Sequence, residues 1–123
     1  MKDETPPEDL RKRTKTFALR IIRLYVALPK TTEAQVLGKQ VLRAGTSIGA
    51  HYAESQRVKS DADFINKFQT ALQELDETIY WLELIIEANI YNQERVKPLI
   101  DETNELIAIF TTIVKKIKDK KKQ

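Results

Sequence analysis

Residues 61–88, DADFINKFQTALQELDETIYWLELIIEA, decide the fold. Ile65, Phe68, Leu72, Leu75, Ile79, Leu82 and Ile86 recur at alternating spacings of three and four, so one stripe of a helix is apolar over its whole length. At 1.5 Å per residue the segment is ~40 Å long. Ser60-x-x-Asp63 supplies a cap, and Asp61 and Asp63 complement the positive end of the helix dipole. Asn89 to Asn92 reads as the turn that ends it.

The same spacing appears on both sides of this segment. Upstream, Leu10, Thr14, Phe17, Ile21, Leu24 and Leu28 form one stripe, with Arg13, Thr16, Arg20 and Arg23 placed opposite. Thr5-x-x-Glu8, with Pro6 at the first helical position, starts that helix, and Pro29 stops it. Thr32-x-x-Gln35 reads as a second capping box, opening a helix with Leu37, Val41, Ala44, Ile48 and His51 on one face. All three glycines, Gly38, Gly45 and Gly49, fall inside it, each costing about 1 kcal/mol relative to alanine. Gly45, Gly49 and Ala53 share a face, which fits either close approach of another backbone or a kink near Gly49. Downstream, Val96, Ile100, Thr103, Ile107, Phe110, Val114 and Ile117 define a fourth helix with Pro98 near its first turn, and the lysine-rich end from Lys115 is expected to fray. Helices are thus expected over about 6–28, 33–56, 61–88 and 94–118, with a basic tail at 115–123.

Four long helices with loops of a few residues pack as antiparallel neighbours, so the expectation is an all-α, up-down-up-down four-helix bundle in a single domain over 1–123. Three glycines and four prolines are too few for the turns of a sandwich or barrel. Apolar residues outside the main stripes, among them Ile22, Tyr25, Leu42, Tyr52, Trp81, Leu84, Leu99, Leu106, Ile109 and Ile113, exceed what one core needs and point to self-association.

The absence of cysteine excludes disulfides, thiolate nucleophiles and cysteine-based metal sites within the chain. The polar start carrying Asp3, Glu4, Glu8 and Asp9 does not read as a signal peptide, and no stretch approaches ~20 apolar residues, so a soluble cytoplasmic protein is expected. Charge is unevenly spread. Residues 1–60 hold 12 Lys and Arg against 6 Asp and Glu, residues 61–114 hold 3 against 11, and residues 115–123 hold 6 against 1. Such asymmetry suggests either a nucleic-acid partner for the basic part or pairing between the halves, within or across subunits.

The stretch RAGTSIGAHYAE at 43–54 resembles the helix-two motif of the four-helix-bundle proteins encoded in intervening sequences of bacterial large-subunit rRNA genes. That family also contains accessory proteins of diversity-generating retroelements. Asp63-Phe64-Ile65-Asn66-Lys67 resembles its helix-three opening, and Glu74-x-Asp76-Glu77-Thr78-x-Tyr80-Trp81-Leu82-Glu83 the continuation in one branch. The resemblance covers Leu10 to Ile117. Departures stand at His51, commonly Asn in the family, at Gly49, often Pro, and at Ser55, often Gly; the Gly49 departure favours the kink. The resemblance implies a ring-shaped homo-oligomer, typically a pentamer, with basic surface suited to nucleic acid; it does not imply an enzymatic activity.

Three functional classes compete for this sequence. A bundle metalloenzyme would need paired Glu-x-x-His motifs, whereas His51-x-x-Glu54 runs in the reverse order and supplies the only histidine, so a surface or capping role for His51 is favoured. No nucleophile–base set or phosphate loop appears, and no catalytic, cofactor or metal residues are assigned. For RNA or DNA, the candidate contacts are Arg11, Lys12, Arg13, Lys15, Arg20 and Arg23 on the first helix with Lys39, Arg57 and Lys59, against the bland alternative of a solvated helix face. For assembly, Arg43, Gly45, Gly49, Tyr52, Glu54, Glu77, Tyr80 and Trp81 are assigned structural or interface roles, with Arg43 expected to form an ion pair with Glu77 or Glu54.

Overall fold

The computed structural model describes residues 7–121, with side chains from 9 to 120. Four helices follow in order: α1 (Pro7–Ala27), α2 (Thr32–Ser55), α3 (Asp61–Glu87) and α4 (Gln93–Lys121). No strand occurs among the described residues. Successive helices are joined by short connections and pack on one another, with α4 returning to α1 through the sparsest of the four interfaces. This is the up-down-up-down bundle that the hydrophobic spacing predicts. The capping box at Thr5 and Pro6 lies outside the described residues.

The α1 stripe is buried at every expected position, from Leu10 to Leu28. In α3 and α4 the core line is turned from the expected one. Phe68, Leu75 and Leu82 are buried as expected, but Ala71, Thr78 and Ile85 complete the line, while Ile65, Leu72, Ile79 and Ile86 are half-buried beside it. In α4, Val96, Thr103, Phe110 and Val114 are joined by Leu99 and Leu106, and Ile100, Ile107 and Ile117 sit at the flank. Leu99, Leu106 and Tyr52 are therefore core residues rather than surplus apolar surface. A helix with apolar residues over a wide arc leaves its seating to its neighbours, and Ala71 and Thr78 admit closer packing than the bulkier residues beside them. The three buried helix-interior threonines stay satisfied: Thr14, Thr78 and Thr103 donate to the carbonyls of Leu10, Glu74 and Leu99, one turn earlier.

The turns differ in detail from the expectation. Thr31, not Thr32, caps α2, its hydroxyl accepting from the Ala34 amide. Gln35 instead ties α2 to the end of α1: its Nε2 donates to the Pro29 carbonyl and its Oε1 accepts from the Tyr25 hydroxyl at 2.9 Å each. Ser60 caps α3 as read, accepting from the Asp63 amide at 3.1 Å. Asn89 ends α3 with φ 58, and the pairs Ile90 N to Ile85 O and Asn89 N to Ile86 O close a Schellman motif. Asn92 then opens α4, its side chain accepting from the Glu94 amide at 2.7 Å.

No break occurs in α2 at Gly49, so the expected kink is replaced by the close-approach reading. A Cβ at Gly49 would lie 3.0 Å from Thr14 Oγ1, and one at Gly45 would lie 2.8 Å from Ile21 Cγ1. Glycine keeps its backbone N–H, so α2 stays continuous while α1 packs against it. Nor does the α4 end fray at Lys115; the helix continues to Lys121.

Candidate nucleic-acid interface

The antiparallel order brings three basic segments to one end of the bundle. Arg11, Lys12 and Lys15 lie in the first part of α1, Arg57 and Lys59 in the α2–α3 connection, and Lys115, Lys118 and Lys120 at the end of α4. All eight are exposed. Asp61 and Asp63 share this end, where they meet the N-terminus of α3. None of Arg11, Lys12, Lys15, Arg57 and Lys59 has a side-chain ion pair among the described residues. Beside them, a groove of about 250 Å³ between α1 and α2 is edged by Arg11 and Lys15 and floored by Ala18, Gly49, Ala50 and Ala53.

Arg13 is differently employed. Its Nε and Nη2 grip Glu102 of α4 at 2.7 and 2.8 Å, and Nη2 also reaches Glu105 at 2.6 Å. These hydrogen bonds, Glu102 first, outweigh partial burial and hold the guanidinium's pKa above its ordinary value. Arg13 is a strap across the loose α1–α4 seam, so the expected stripe of Arg13, Arg20 and Arg23 opposite the core is corrected. The outer face of α1 carries Leu19, Ile22 and Val26, which are 47%, 40% and 66% exposed. Arg20 and Arg23 line a separate recess between α1 and α4. Lys39 stands exposed on α2.

The motif at 43–54 divides between two seams: Gly45 and Gly49 face α1, whereas His51 and Glu54 reach α3. His51 Nδ1 lies 2.7 Å from Glu74 Oε1 and 3.1 Å from the Ser47 carbonyl. Facing two acceptors, this nitrogen carries a hydrogen and donates. His51 thus joins two helices, rather than capping one or standing free on the surface. Glu54 pairs with Lys67 at 2.8 Å, which holds its carboxyl below the usual range, first through that hydrogen bond. Arg43 consequently has no ion pair with Glu54 or Glu77; it is exposed and acts on Glu74 through its field. Tyr52 is buried against Phe68 and Phe110, whereas Trp81 is half-buried with Tyr80 packed edge-on to it at 5.1 Å. Glu77 is exposed on α3. Among the described residues, no three His, Asp or Glu side chains converge to hold a metal ion, and no helix is long and apolar enough to cross a membrane.

Glu74 has a checkable titration. Desolvation is the largest influence and raises its pKa, reinforced by Glu77 and opposed by the His51 hydrogen bond and the Arg43 charge. A carboxyl raised on folding contributes stability below its unfolded pKa and loses that contribution as pH rises through the folded value. Glu74→Gln keeps an acceptor for His51 and removes the desolvated charge. Chemical denaturation should show the variant gaining on the wild type near pH 7 and losing that gain toward about pH 4. An equal difference at both pH values would contradict the assignment.

The model of the family described as 23S rRNA-intervening sequence protein matches residues 8–112. No curated protein matches the chain. Among solved structures, a protein of unknown function from the S23 ribosomal protein family of Bacteroides thetaiotaomicron VPI-5482 superposes with a TM-score of 0.82. It shares 38% identity, over 94% of this chain and 99% of that one. The matched span runs from the first turn of α1 into the last turns of α4 and includes every seam described above. The chain belongs to the 23S rRNA-intervening sequence protein family.

Proposed function

We propose that the protein is a non-enzymatic, oligomeric scaffold that binds nucleic acid through the basic end of its bundle. The observation that carries this reading is the convergence of Arg11, Lys12, Lys15, Arg57 and Lys59 on one end without carboxylate partners among the described residues. Unpaired exposed cations can neutralise phosphates without breaking any internal contact. Nothing in the sequence resembles a base-reading module, so recognition is led by charge and shape.

Self-association has its own support in the ridge of Leu19, Ile22 and Val26 along the outer face of α1. A pentameric ring, the assembly that the family resemblance implies, would repeat each basic end and multiply weak contacts into avidity. The basic first half and acidic α3 also suit a head-to-tail contact that closes into a ring.

Titrating labelled RNA and DNA at low salt, with the mass followed by light scattering, tests both parts. Binding should be measurable, should weaken in Arg11→Gln/Lys12→Gln/Lys15→Gln, and should be accompanied by a mass several times 14.2 kDa. The variant should keep that mass. Absence of binding at low salt would leave an assembly module without nucleic acid, and a monomer at micromolar concentration would remove the ring.

A further inference from the structure

Further along the α1–α4 seam the charge pattern inverts. Arg13 faces Glu102 across the antiparallel pair. Seven residues on in α1 and seven back in α4, about two turns or ~10 Å, stand Arg20 and Arg95, so cation meets cation where the earlier level matched opposite charges. The two arginines line one recess of about 250 Å³, together with Arg23 and Tyr91, over a floor that includes the buried Leu24 and Leu99.

No acidic side chain lines this recess. None of the three guanidiniums has a hydrogen-bond or ion-pair partner among the described residues. Like charges gathered at one place oppose folding, and the fold supplies no counter-charge there. A guanidinium presents a planar fork that matches phosphate oxygens two at a time. Three such forks around one recess form an anion receptor, while the apolar floor and the Tyr91 ring offer surface to a planar group. The volume lies just below the ~300 Å³ at which ordinary small-molecule pockets begin. That space suits a single nucleotide unit rather than a larger cofactor.

The geometry points to a nucleotide phosphate site in this recess, with Arg20, Arg23 and Arg95 binding the phosphoryl oxygens and the base lying against Tyr91 and the apolar floor. The site goes beyond the proposed polynucleotide surface, which occupies the other end of α1. Its ligand can come from two sources: a free nucleoside monophosphate, or the phosphorylated end of a strand.

Thermal melts and the Nε–Hε signals of the arginine side chains test the site, with adenosine monophosphate, adenosine and inorganic phosphate as probes. Adenosine monophosphate should raise the melting temperature saturably and shift the Arg20, Arg23 and Arg95 signals, and adenosine should do neither. Arg95→Gln should weaken the response by ~10-fold or more. Arg95→Glu places a carboxylate opposite Arg20, so it should raise the ligand-free melting temperature and abolish the response. Competition by a 5′-phosphorylated oligonucleotide, but not its 5′-hydroxyl form, at lower concentration than the mononucleotide would assign the strand end. Weaker competition would assign the free nucleotide. No saturable response to millimolar adenosine monophosphate, equal binding of adenosine, or inorganic phosphate binding as tightly as the nucleotide would overturn the proposal. Arg11→Gln/Lys12→Gln/Lys15→Gln should retain the mononucleotide response, so failure of the recess and failure of the basic end are separable.

Discussion

Phe68→Ala is expected to destabilise the bundle by about 3–5 kcal/mol in urea denaturation. The Phe68 ring is fully enclosed. It stacks on Phe64 at 4.6 Å, meets Phe110 of α4 at 4.9 Å and meets Tyr52 of α2 edge-on at 5.9 Å. Its removal opens a cavity where three helices converge, and each neighbour is itself a rigid ring that relaxes poorly into the space. Phe64→Ala removes a half-buried ring with a single aromatic partner and should cost less than half as much. A loss below about 1 kcal/mol for Phe68→Ala would contradict this account of the core.

Gly45→Leu is expected to cost about 3 kcal/mol by overpacking. Even a Cβ at this position would stand 2.8 Å from Ile21 Cγ1 and 3.1 Å from Cγ2. Ile21 is fully buried and stiff at χ1, so α1 must move or the new side chain must strain. Gly45→Ala gains about 1 kcal/mol of helix propensity yet remains a net loss, because overpacking costs about 1–3 kcal/mol. A Cβ at Gly38 would stand 2.7 Å from Leu28 Cδ1 and 2.9 Å from the Tyr25 ring, which its bond to Gln35 holds in place, so Gly38→Ala should be a net loss as well. Denaturation should rank Gly45→Leu below Gly45→Ala, and both it and Gly38→Ala below the wild type. A stabilised Gly45→Ala would show that α1 and α2 are not closely seated there.

The bundle itself was legible in the residues because period, caps and breakers agree. Ser60 with Asp63, and Pro29 after Leu28, mark ends that the structure places within a residue of the expected ones. The rotation of α3 and α4 was not legible. Leu99 and Ile100, or Leu106 and Ile107, are equally apolar neighbours, and only packing against α1 and α3 turns one inward. Thr31 and Thr32 are likewise equivalent in sequence, and Gln35 is drawn away from a capping box by Tyr25 and Pro29.

The charged site was legible in part. Residue type placed Arg11, Lys12 and Lys15 on the surface, but the ties of Arg13 to Glu102 and Glu105 and of His51 to Glu74 join residues far apart in sequence. Arg95 stands in an acidic segment of the sequence, and its place becomes visible only when the antiparallel register sets it beside Arg20. The helix ends do not give that register; it follows from the Arg13–Glu102 pair, from which seven residues forward in α1 and seven back in α4 bring the two arginines level.

The salt dependence of nucleic-acid affinity tests the central claim most directly, because phosphate neutralisation by surface cations releases counterions. A plot of log affinity against log salt should fall linearly, by about 0.9 per phosphate contact on duplex and about 0.7 on a single strand. With Arg11, Lys12 and Lys15 replaced by Gln, the helical signal and the mass should be unchanged and the slope should flatten by roughly 2–3 on duplex, one step for each lost contact. A salt-insensitive affinity, or a slope identical in the wild type and the triple variant, would contradict the claim that this end of the bundle is the binding surface.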